Sequence, residues 1–174
     1  TGGRGQFGDV HLRIEAMPRG SGFEFVDEVV GGSVPNKFIP AVEKGVRETM
    51  VEGAIAGCPV VDIRVALYDG SYHDVDSSDM AFQIAASMGL QKGFLEAHPI
   101  LLEPVMNVEV TAPSDNAGDV IGDMNSRRGR VVGMEPDGEV VAVRAQEPSH
   151  YEEVPAHIAE KVVKDAKAEK EKAH

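Results

Sequence analysis

Hydrophobic and polar residues follow two regular spacings along this chain, and the spacings predict two α+β modules in succession. In residues 10–14 and 61–67 every second residue is apolar, which indicates half-buried strands. In residues 40–50 and 77–96 apolar residues recur at helical spacing. A further strand is predicted from Phe23 to Val30, so the order is strand, strand, helix, strand, helix. This order predicts an α+β module with its helices on one face of a sheet.

Each predicted helix has an expected buried face, and the second has an expected cap. The first helix should bury Val42, Val46 and Met50. Asp76 is the expected N-cap of the second helix, because a carboxylate at that position accepts a hydrogen bond from an unpaired backbone N–H. In the second helix Ala81, Ile84, Ala85 and Met88 recur at helical spacing. Its Ala- and Gly-rich face, with Ala81, Ala85 and Gly89, should permit close packing.

A new alternation starts after Leu101–Pro104, which marks the expected boundary between the modules. The pattern then predicts a strand over 106–110, a helix over 117–128 with Gly129 as its C′ stop, and strands over 131–132 and 140–145. This is most of a ferredoxin-like split β-α-β unit, without its second helix and final strand. The chain continues with an amphipathic helix predicted over Val154–Val163 and a charged tail over 166–174.

Composition narrows the functions that this architecture could serve. The 174 residues include one cysteine, Cys58, which excludes a disulfide framework and favours the reducing cytoplasm. No apolar run approaches the ~20 residues that span a bilayer, so no membrane contact is expected. The net charge of −12 argues against a general phosphate-binding protein. Any contact with nucleic acid should therefore be local.

Two polar loops are the candidate functional segments. The dipeptide Asp69-Gly70 predicts a turn before the second helix, which would lift Ser71, Tyr72, His73 and Asp74 away from the core. The stretch Thr1–Gly8 is rich in glycine and typical of a hairpin tip, and its abrupt start without Met leads us to expect a fragment of a longer protein. Such glycines could cradle a phosphate, but the Gly-x-x-x-x-Gly-Lys-Ser/Thr motif is absent from the chain.

Several long motifs together resemble bacterial elongation factor G. They are Thr1–Phe7, Gly31–Gly32 with Ile39–Val42, Gly70–Ser78 with Met80–Phe82, Leu101–Pro104 and Gly118–Gly129. The resemblance covers the fourth and fifth domains and the C-terminal helix of that family. It implies a fourth-domain-like module over residues 1–103, completed by a C-terminal helix over 149–165, and a partial ferredoxin-like fifth-domain module over 104–147. It also implies a left-handed β-α-β crossover in the first module, against the general right-handed rule.

The family pattern is interrupted at one place. Between Gln146 and Ser149 the family carries a helix and a strand that this chain lacks. The segment is either disordered and left out of the sequence, or deleted, and we favour disorder. A deletion would leave an unpaired edge in the second sheet.

By resemblance, the chain is the C-terminal part of a translational GTPase that promotes tRNA–mRNA translocation on the ribosome. Its expected partners are ribosomal RNA and the tRNA–mRNA pair in the decoding site, and it should act as a monomer in the cytoplasm. GTP and Mg²⁺ belong to the parent's GTPase domain, so the fragment should hold no cofactor and catalyse no reaction. The residues carried over as decoding-centre contacts are Gly3, Arg4, Gly5, Gln6, Ser71, Tyr72, His73, Asp74 and Val75.

A basic run at the end of a predicted helix is a second, weaker candidate for RNA contact. Arg127, Arg128 and Arg130 could bind phosphates of large-subunit RNA, as the family's fifth domain lies near that RNA. A solvated helix end would have the same composition.

Other functions stay open at this point. A ribosome-recycling or ribosome-protection paralogue would share the architecture. A module that binds only other proteins would tolerate changes in both loops. A metal-dependent hydrolase would use His73, Asp74 and Asp76, but three neighbours on one turn converge poorly on a metal, and a cap explains Asp76 better.

Overall fold

A computed structural model describes residues 5–53, 55–145 and 150–172 of the chain. The chain divides into two compact units: the first unit comprises Thr1–Leu101 and Pro155–His174, and the second unit comprises Leu102–Val154. The strands are β1 (Asp9–Ala16), β2 (Phe23–Asp27), β3 (Ile63–Ser71), β4 (Leu102–Val105), β5 (Val108–Pro113), β6 (Val131–Asp137), β7 (Val140–Ala145) and β8 (His150–Glu153). The helices are α1 (Ile39–Glu52), α2 (Asp79–Glu96), α3 (Ala117–Ser126) and α4 (Ala156–Lys172), with short 3-10 turns at Asn36–Phe38 and Ser114–Asn116.

The first unit is built on a three-stranded sheet with the order β1-β3-β2. β1 runs antiparallel to β3, from Asp9 opposite Ser71 to Ala16 opposite Ile63. β2 runs parallel to β3, and α1 is the crossover between them. The observed order β1, β2, α1, β3, α2 confirms the predicted order of elements. The left-handed sense of the crossover stays a prediction.

The core of the first unit lies between this sheet and helices α1 and α2. α1 buries Val42, Val46 and Met50, as the apolar spacing predicted. The two helices approach closely, because a Cβ added at Gly45 of α1 would lie 2.3 Å from the Gln83 carbonyl oxygen of α2. A side chain at position 45 would therefore push the helices apart.

The packing face predicted for α2 is confirmed in part. Ala81 is buried, and a Cβ added at Gly89 would lie 3.6 Å from the Leu12 side chain of β1. Ile84 and Met88, which share the helical spacing of Ala81, are 51% and 66% exposed. The helix instead buries a face that comprises Ala81, Phe82, Ala86 and Leu90. Apolar residues occur on all sides of this helix, so their spacing does not select one face.

The third strand continues further than predicted, while the second ends sooner. β3 includes Asp69 and Gly70, so the prediction of a turn at this dipeptide was wrong. A Cβ at Gly70 would lie 2.3 Å from the Asp9 carbonyl oxygen, so the close approach of β1 explains the glycine here. β2 ends at Asp27, and Val30, which was predicted as strand, is 84% exposed.

The second unit contains a three-stranded antiparallel sheet with the order β5-β7-β6. The elements β5, α3, β6 and β7 confirm the predicted succession of strand, helix, strand, strand. Residues of α3 and of β7 form its core, namely Met124, Val141, Val143 and Ala145. Partly buried Val110, Val120 and Ile121 pack against this core.

The segment expected to be a plain boundary is a strand. β4 contains Pro104 and pairs antiparallel with β8, with Leu102 opposite Glu153 and Val105 opposite His150. This pair is a separate two-stranded sheet, so Pro104 lies in an edge strand, where a missing N–H is tolerated.

α3 ends at Ser126, earlier than predicted. Arg128, with a φ of +65°, occupies the left-handed C′ position that was predicted for Gly129. The Arg128 N–H donates to the Asn125 carbonyl (3.0 Å), and the Gly129 N–H donates to the Met124 carbonyl (2.8 Å). These two bonds are the pair that defines a Schellman motif.

The last helix starts later and ends later than predicted. α4 begins at Ala156 and continues to Lys172, so most of the predicted charged tail is helical. Residues of this segment group with the first unit. The resemblance to the family and the apolar set Val154, Ile158, Val162 and Val163 predict that this helix packs on the first module, and this stays a prediction. Val154 precedes α4, and Val162 is 39% exposed. Within the described ranges, no helix combines the length and apolar character that a membrane span requires.

Candidate nucleic-acid interface

Two loop segments meet at one end of the sheet of the first unit. β1 begins at Asp9, and its first residue pairs with Ser71, the last residue of β3. The segment before β1 and the segment after β3 must therefore leave the sheet at the same end. We call residues 5–8 and 71–78 together the tip. In this described part, the two candidate loops therefore lie side by side.

Asp76 connects the two segments of the tip. Its carboxylate Oδ1 accepts a hydrogen bond from the Gly5 N–H at 3.0 Å. Its backbone carbonyl accepts a second bond from the Phe7 N–H, also at 3.0 Å. Phe7 and Ser77 form an isolated parallel bridge, so the two segments pair locally like strands.

The side chains of Ser77 and Phe7 add further contacts between the segments. Ser77 Oγ donates to the Phe7 carbonyl (2.9 Å) and accepts from the His73 backbone N–H (2.9 Å). The Phe7 ring lies against the His73 imidazole, with ring centroids 4.1 Å apart and a tilt of 31° between the planes. Ser77 therefore holds both the loop at His73 and the other segment at Phe7.

Ser78, not Asp76, is the N-cap of α2. Its Oγ accepts a hydrogen bond from the Ala81 N–H at 3.1 Å, so the predicted cap at Asp76 was wrong. The same Oγ donates to Gln6 Oε1 at 2.9 Å. The start of α2 thus holds the Gln6 side chain as well.

The predicted contact residues of the second loop are exposed at the tip. Tyr72 is 42% exposed and Val75 is 66% exposed, and His73 and Asp74 are exposed too. Ser71 is exposed at the end of β3, where its Oγ donates to Asp9 Oδ2 at 3.0 Å. In the first loop, Gly5 and Gln6 are exposed. Gly3 and Arg4 lie outside the described residues.

The tip offers hydrogen-bonding and flat apolar groups more than positive charge. In its described residues the carboxylates are Asp74 and Asp76. Gln6, Tyr72 and His73 supply an amide, a phenol and an imidazole, which can hydrogen-bond base edges or stack on bases. Such a surface suits unpaired bases or a helix minor groove better than a phosphate backbone.

A small cluster of charged groups lies beside the tip, at the paired ends of β1 and β3. His11 has Asp9 and Asp69 on either side, at 3.8 Å and 3.9 Å between the nearest nitrogen and oxygen atoms. The Gly70 backbone N–H donates to the Asp69 carboxylate and holds its pKa below the ordinary value. Asp69 is therefore an anion over the whole physiological pH range.

The residues proposed for a metal-dependent hydrolase are engaged in other contacts. The Asp76 carboxylate is bonded to the Gly5 N–H, and the His73 ring lies against Phe7. Among the described residues, no group of three or more His, Cys, Asp or Glu side chains is arranged to hold a metal ion.

The basic run in the second unit is largely paired with acids of the same unit. Arg127 Nε bonds Asp123 Oδ2 at 2.9 Å, one helical turn earlier, and Arg128 bonds Glu103. Arg130 is exposed. Both paired side chains remain on the surface, so a phosphate would compete with a carboxylate at each of them. Their expected role as large-subunit RNA contacts stays a prediction.

Phe7, Ser77 and Ser78 are the residues of the tip that sequence reasoning missed. Ser78 could have been found, because a serine immediately before an apolar pattern at helical spacing is a common N-cap. Neighbouring Asp76 and Asp79 gave the same signal, which left the choice of cap ambiguous. No local pattern indicates that Phe7 lies against His73.

Comparisons with known proteins agree for both units. The family model "Elongation factor G, domain IV" matches residues 1–98, and the model "Elongation factor G C-terminus" matches residues 100–151. A protein named elongation factor G from Aquifex pyrophilus is 50% identical over 98% of this chain, which covers 28% of that protein. An "Elongation factor G-like protein" from Thermotoga maritima is 48% identical over 97% of this chain and 29% of its own length. A crystal structure of a protein from Thermus thermophilus matches 97% of this chain with a TM-score of 0.79 and 41% identity, and this chain covers 29% of it.

The chain therefore spans less than a third of the length of these relatives. The alignment with the Aquifex pyrophilus protein extends over 195 positions, more than the 174 residues of this chain. The relative thus carries residues that have no counterpart here.

Proposed function

Because the chain belongs to the elongation factor G family, we propose that it is the part of a translational GTPase that reaches the decoding site during tRNA–mRNA translocation. In this proposal the tip contacts RNA at the decoding centre, and GTP is hydrolysed by another part of the parent protein. The ribosome, ribosomal RNA and the tRNA–mRNA pair are its partners.

One observation carries this proposal. Two segments about 70 residues apart in sequence converge on a single exposed end, and their exposed groups include an amide, a phenol and an imidazole. An enzyme would place such groups in a cleft. At an exposed end they can instead enter a groove of a partner, and RNA offers base edges and 2′-hydroxyls to these groups.

The acidic character of the chain limits how the tip could bind RNA. With a net charge of −12, the chain would lose binding energy near a phosphate backbone. We propose that hydrogen bonds and stacking supply the affinity at the tip, while other contacts of the parent protein bring it to the ribosome. Contact at the tip should then depend only weakly on salt concentration, since few counterions are released.

His73 is the residue whose change tests the proposal most directly. The test protein is a chimaera in which this chain replaces the matched region of the Aquifex pyrophilus elongation factor G. His73→Ala should slow translocation by about ten- to a hundredfold, the effect of losing one stacking contact of roughly 1–3 kcal/mol. Single-round GTP hydrolysis on the ribosome should stay nearly unchanged, because the tip lies outside the nucleotide site.

The matched control is His157→Ala, at an exposed position on α4, a helix that contributes no residue to the tip as defined above. It should leave both rates unchanged. Equal loss of both rates in His73→Ala would mean that the loop acts in ribosome docking, and no loss of either would contradict the proposal.

A second measurement uses the chain alone. Chemical footprinting of small ribosomal subunits with the 174-residue chain should protect nucleotides of the decoding centre. The protection should weaken with His73→Ala and persist with His157→Ala. Protection elsewhere on the subunit, equal for both variants, would contradict a role of the tip.

A further inference from the structure

Asp76 has a position in the tip that a role as helix cap does not explain. Ser78 caps α2, so the Asp76 carboxylate is not needed there. It is partly buried, and it accepts a hydrogen bond from Gly5 of the other segment. A carboxylate beside a site for RNA opposes the approach of phosphates. We therefore expect Asp76 to favour RNA binding in another way that outweighs its repulsion of phosphates.

We propose that Asp76 is a positioning residue, which holds the Gly5–Gln6 segment beside His73 so that Gln6 and His73 meet RNA as one preformed surface. This inference rests on the proposed function and assigns the residue on which the geometry of the tip depends. The contribution of Asp76 is to order the first segment before binding. A segment ordered in advance loses less conformational entropy when it binds.

Asp76 and Gly5 fit closely against each other. A Cβ added at Gly5 would lie 3.0 Å from both the carboxyl carbon and Oδ1 of Asp76. This is closer than side chains normally approach, so a larger residue would push the carboxylate away from the N–H. Because Gly5 has no side chain, its N–H can reach the Asp76 carboxylate of the opposite segment.

The other contacts of the tip follow from the same alignment. With Gly5 held at Asp76, the Phe7 N–H meets the Asp76 carbonyl and the Phe7 ring meets His73. The Gln6 amide then meets Ser78 Oγ. The described contacts of Gly5, Gln6 and Phe7 that join the segments thus all lead to residues between 73 and 78. Loss of the Asp76 bond should loosen the whole set.

The chain offers a matched control at the other end of the same strands. Asp62 Oδ1 accepts a hydrogen bond from the Gly22 N–H at 2.9 Å, the same kind of bond as that of Asp76 to Gly5. Asp62 precedes Ile63, which pairs with Ala16 at the end of the β1–β3 pair remote from the tip. Asp62→Ala therefore removes an equivalent bond without touching the tip.

Hydrogen exchange on the chain itself is the first test. In Asp76→Ala the Gly5 and Phe7 amides should exchange about tenfold faster than in wild type, which corresponds to ~1.4 kcal/mol. Asp76→Asn should retain slow exchange, since its amide oxygen still accepts from the Gly5 N–H. Asp62→Ala should speed exchange at Gly22 and not at Gly5. Unchanged exchange at Gly5 in Asp76→Ala would overturn the inference.

Translocation by the chimaera is the second test. Asp76→Ala should slow translocation about tenfold, with GTP hydrolysis and melting temperature close to wild type, while Asp76→Asn should restore a rate within about twofold of wild type. Asp62→Ala should translocate normally even if its melting temperature falls. Equal slowing by Asp76→Asn and Asp76→Ala would show that charge acts in place of positioning and would overturn the inference.

A double variant shows whether Asp76 acts through the first segment. If Asp76 positions Gln6, then Gln6→Ala combined with Asp76→Ala should be little slower than Gln6→Ala alone, because both changes remove the same contact. Multiplied effects would overturn the inference. A normal rate in Asp76→Ala beside a slow His73→Ala would overturn this inference alone. A normal rate in His73→Ala would overturn the proposed function.

Discussion

The two units differ most in how well their sheets are covered. In the first unit two helices, α1 and α2, cover a three-stranded sheet, and the described core contains twelve buried residues. In the second unit one helix, α3, packs on a three-stranded sheet, and the described core contains four. A fully buried apolar side chain contributes about 1.5–3 kcal/mol, so the first unit has the larger reserve of stability.

The tip belongs to the unit with the larger reserve. The strand and the helix that end there are anchored by fully buried side chains, Leu67 on β3 and Phe82 on α2. A surface that keeps its shape on binding needs supports of this kind, because loops alone place side chains less accurately than strands and helices do. The second unit, with fewer buried residues, should open more readily.

The largest expected effect is in the core of the first unit. Phe82 is fully buried, and its ring stacks on Phe38 with centroids 4.7 Å apart. Phe82→Ala should lower the free energy of unfolding of the first unit by about 3–5 kcal/mol. Urea unfolding followed by NMR signals of each unit would measure it. Met80→Ala, at a position 60% exposed, is the control and should change stability by less than about 0.5 kcal/mol. A similar loss for both variants would contradict the description of α2.

The packing of the helices gives the next largest effect, with opposite signs in the two units. Gly45→Ala should destabilise the first unit by about 1–3 kcal/mol, because its Cβ would meet the Gln83 carbonyl at 2.3 Å. Gly122→Ala in α3 has nothing within 4 Å of its Cβ and should stabilise the second unit by about 0.5–1 kcal/mol. Thermal unfolding of both variants would check the signs. If both substitutions changed stability in the same direction, the inferred difference in packing between α1 and α3 would be contradicted.

Val143→Ala tests whether the second unit opens by itself. Val143 is fully buried in a small core, and the loss of its two methyl groups should cost roughly 2 kcal/mol. Amide exchange should become faster throughout β5, β6 and β7 while α1 and β3 remain protected. Faster exchange in both units together would mean that they unfold as one.

The smallest effect concerns the charge of Asp69 in the first unit. Its folded pKa is lowered by the Gly70 N–H, so Asp69 stabilises the fold at pH above its unfolded pKa of about 3.9. This contribution is lost as the pH falls through the folded pKa. Asp69→Asn should therefore melt at a lower temperature than wild type at pH 7, and the difference should vanish in acid below the folded pKa. A difference that persists there would assign the effect to packing.

The fold could be predicted from the sequence where one face of an element is clearly apolar. The alternation of Val10, Leu12 and Ile14 and the stripe of Val42 and Val46 correctly predicted β1 and α1. For α2 the spacing predicted the helix but did not identify its whole buried face, because Met80, Ile84 and Met88 make its exposed face as apolar as its buried one. Burial there is decided by packing against α1 and β1, which local spacing does not contain.

The site could be predicted only in part, for a related reason. The exposure of His73 and Val75 followed from the polar stretch between two apolar patterns. The contacts that shape the tip join residues about 70 positions apart, such as Gly5 with Asp76 and Phe7 with Ser77. Turn rules describe neighbours in sequence, so they assigned Asp76 to its own helix and Gly70 to a turn.

The pairing of β4 with β8 has a mechanical consequence. The chain enters the second unit along one strand and leaves it along the neighbouring antiparallel strand, while the segments before and after both belong to the first unit. A pulling force applied at Asp9 and Lys172 would therefore be carried by the first unit and by the hydrogen bonds between β4 and β8. The rest of the second unit forms a closed loop between β4 and β8, and it would bear tension only after these two strands had separated.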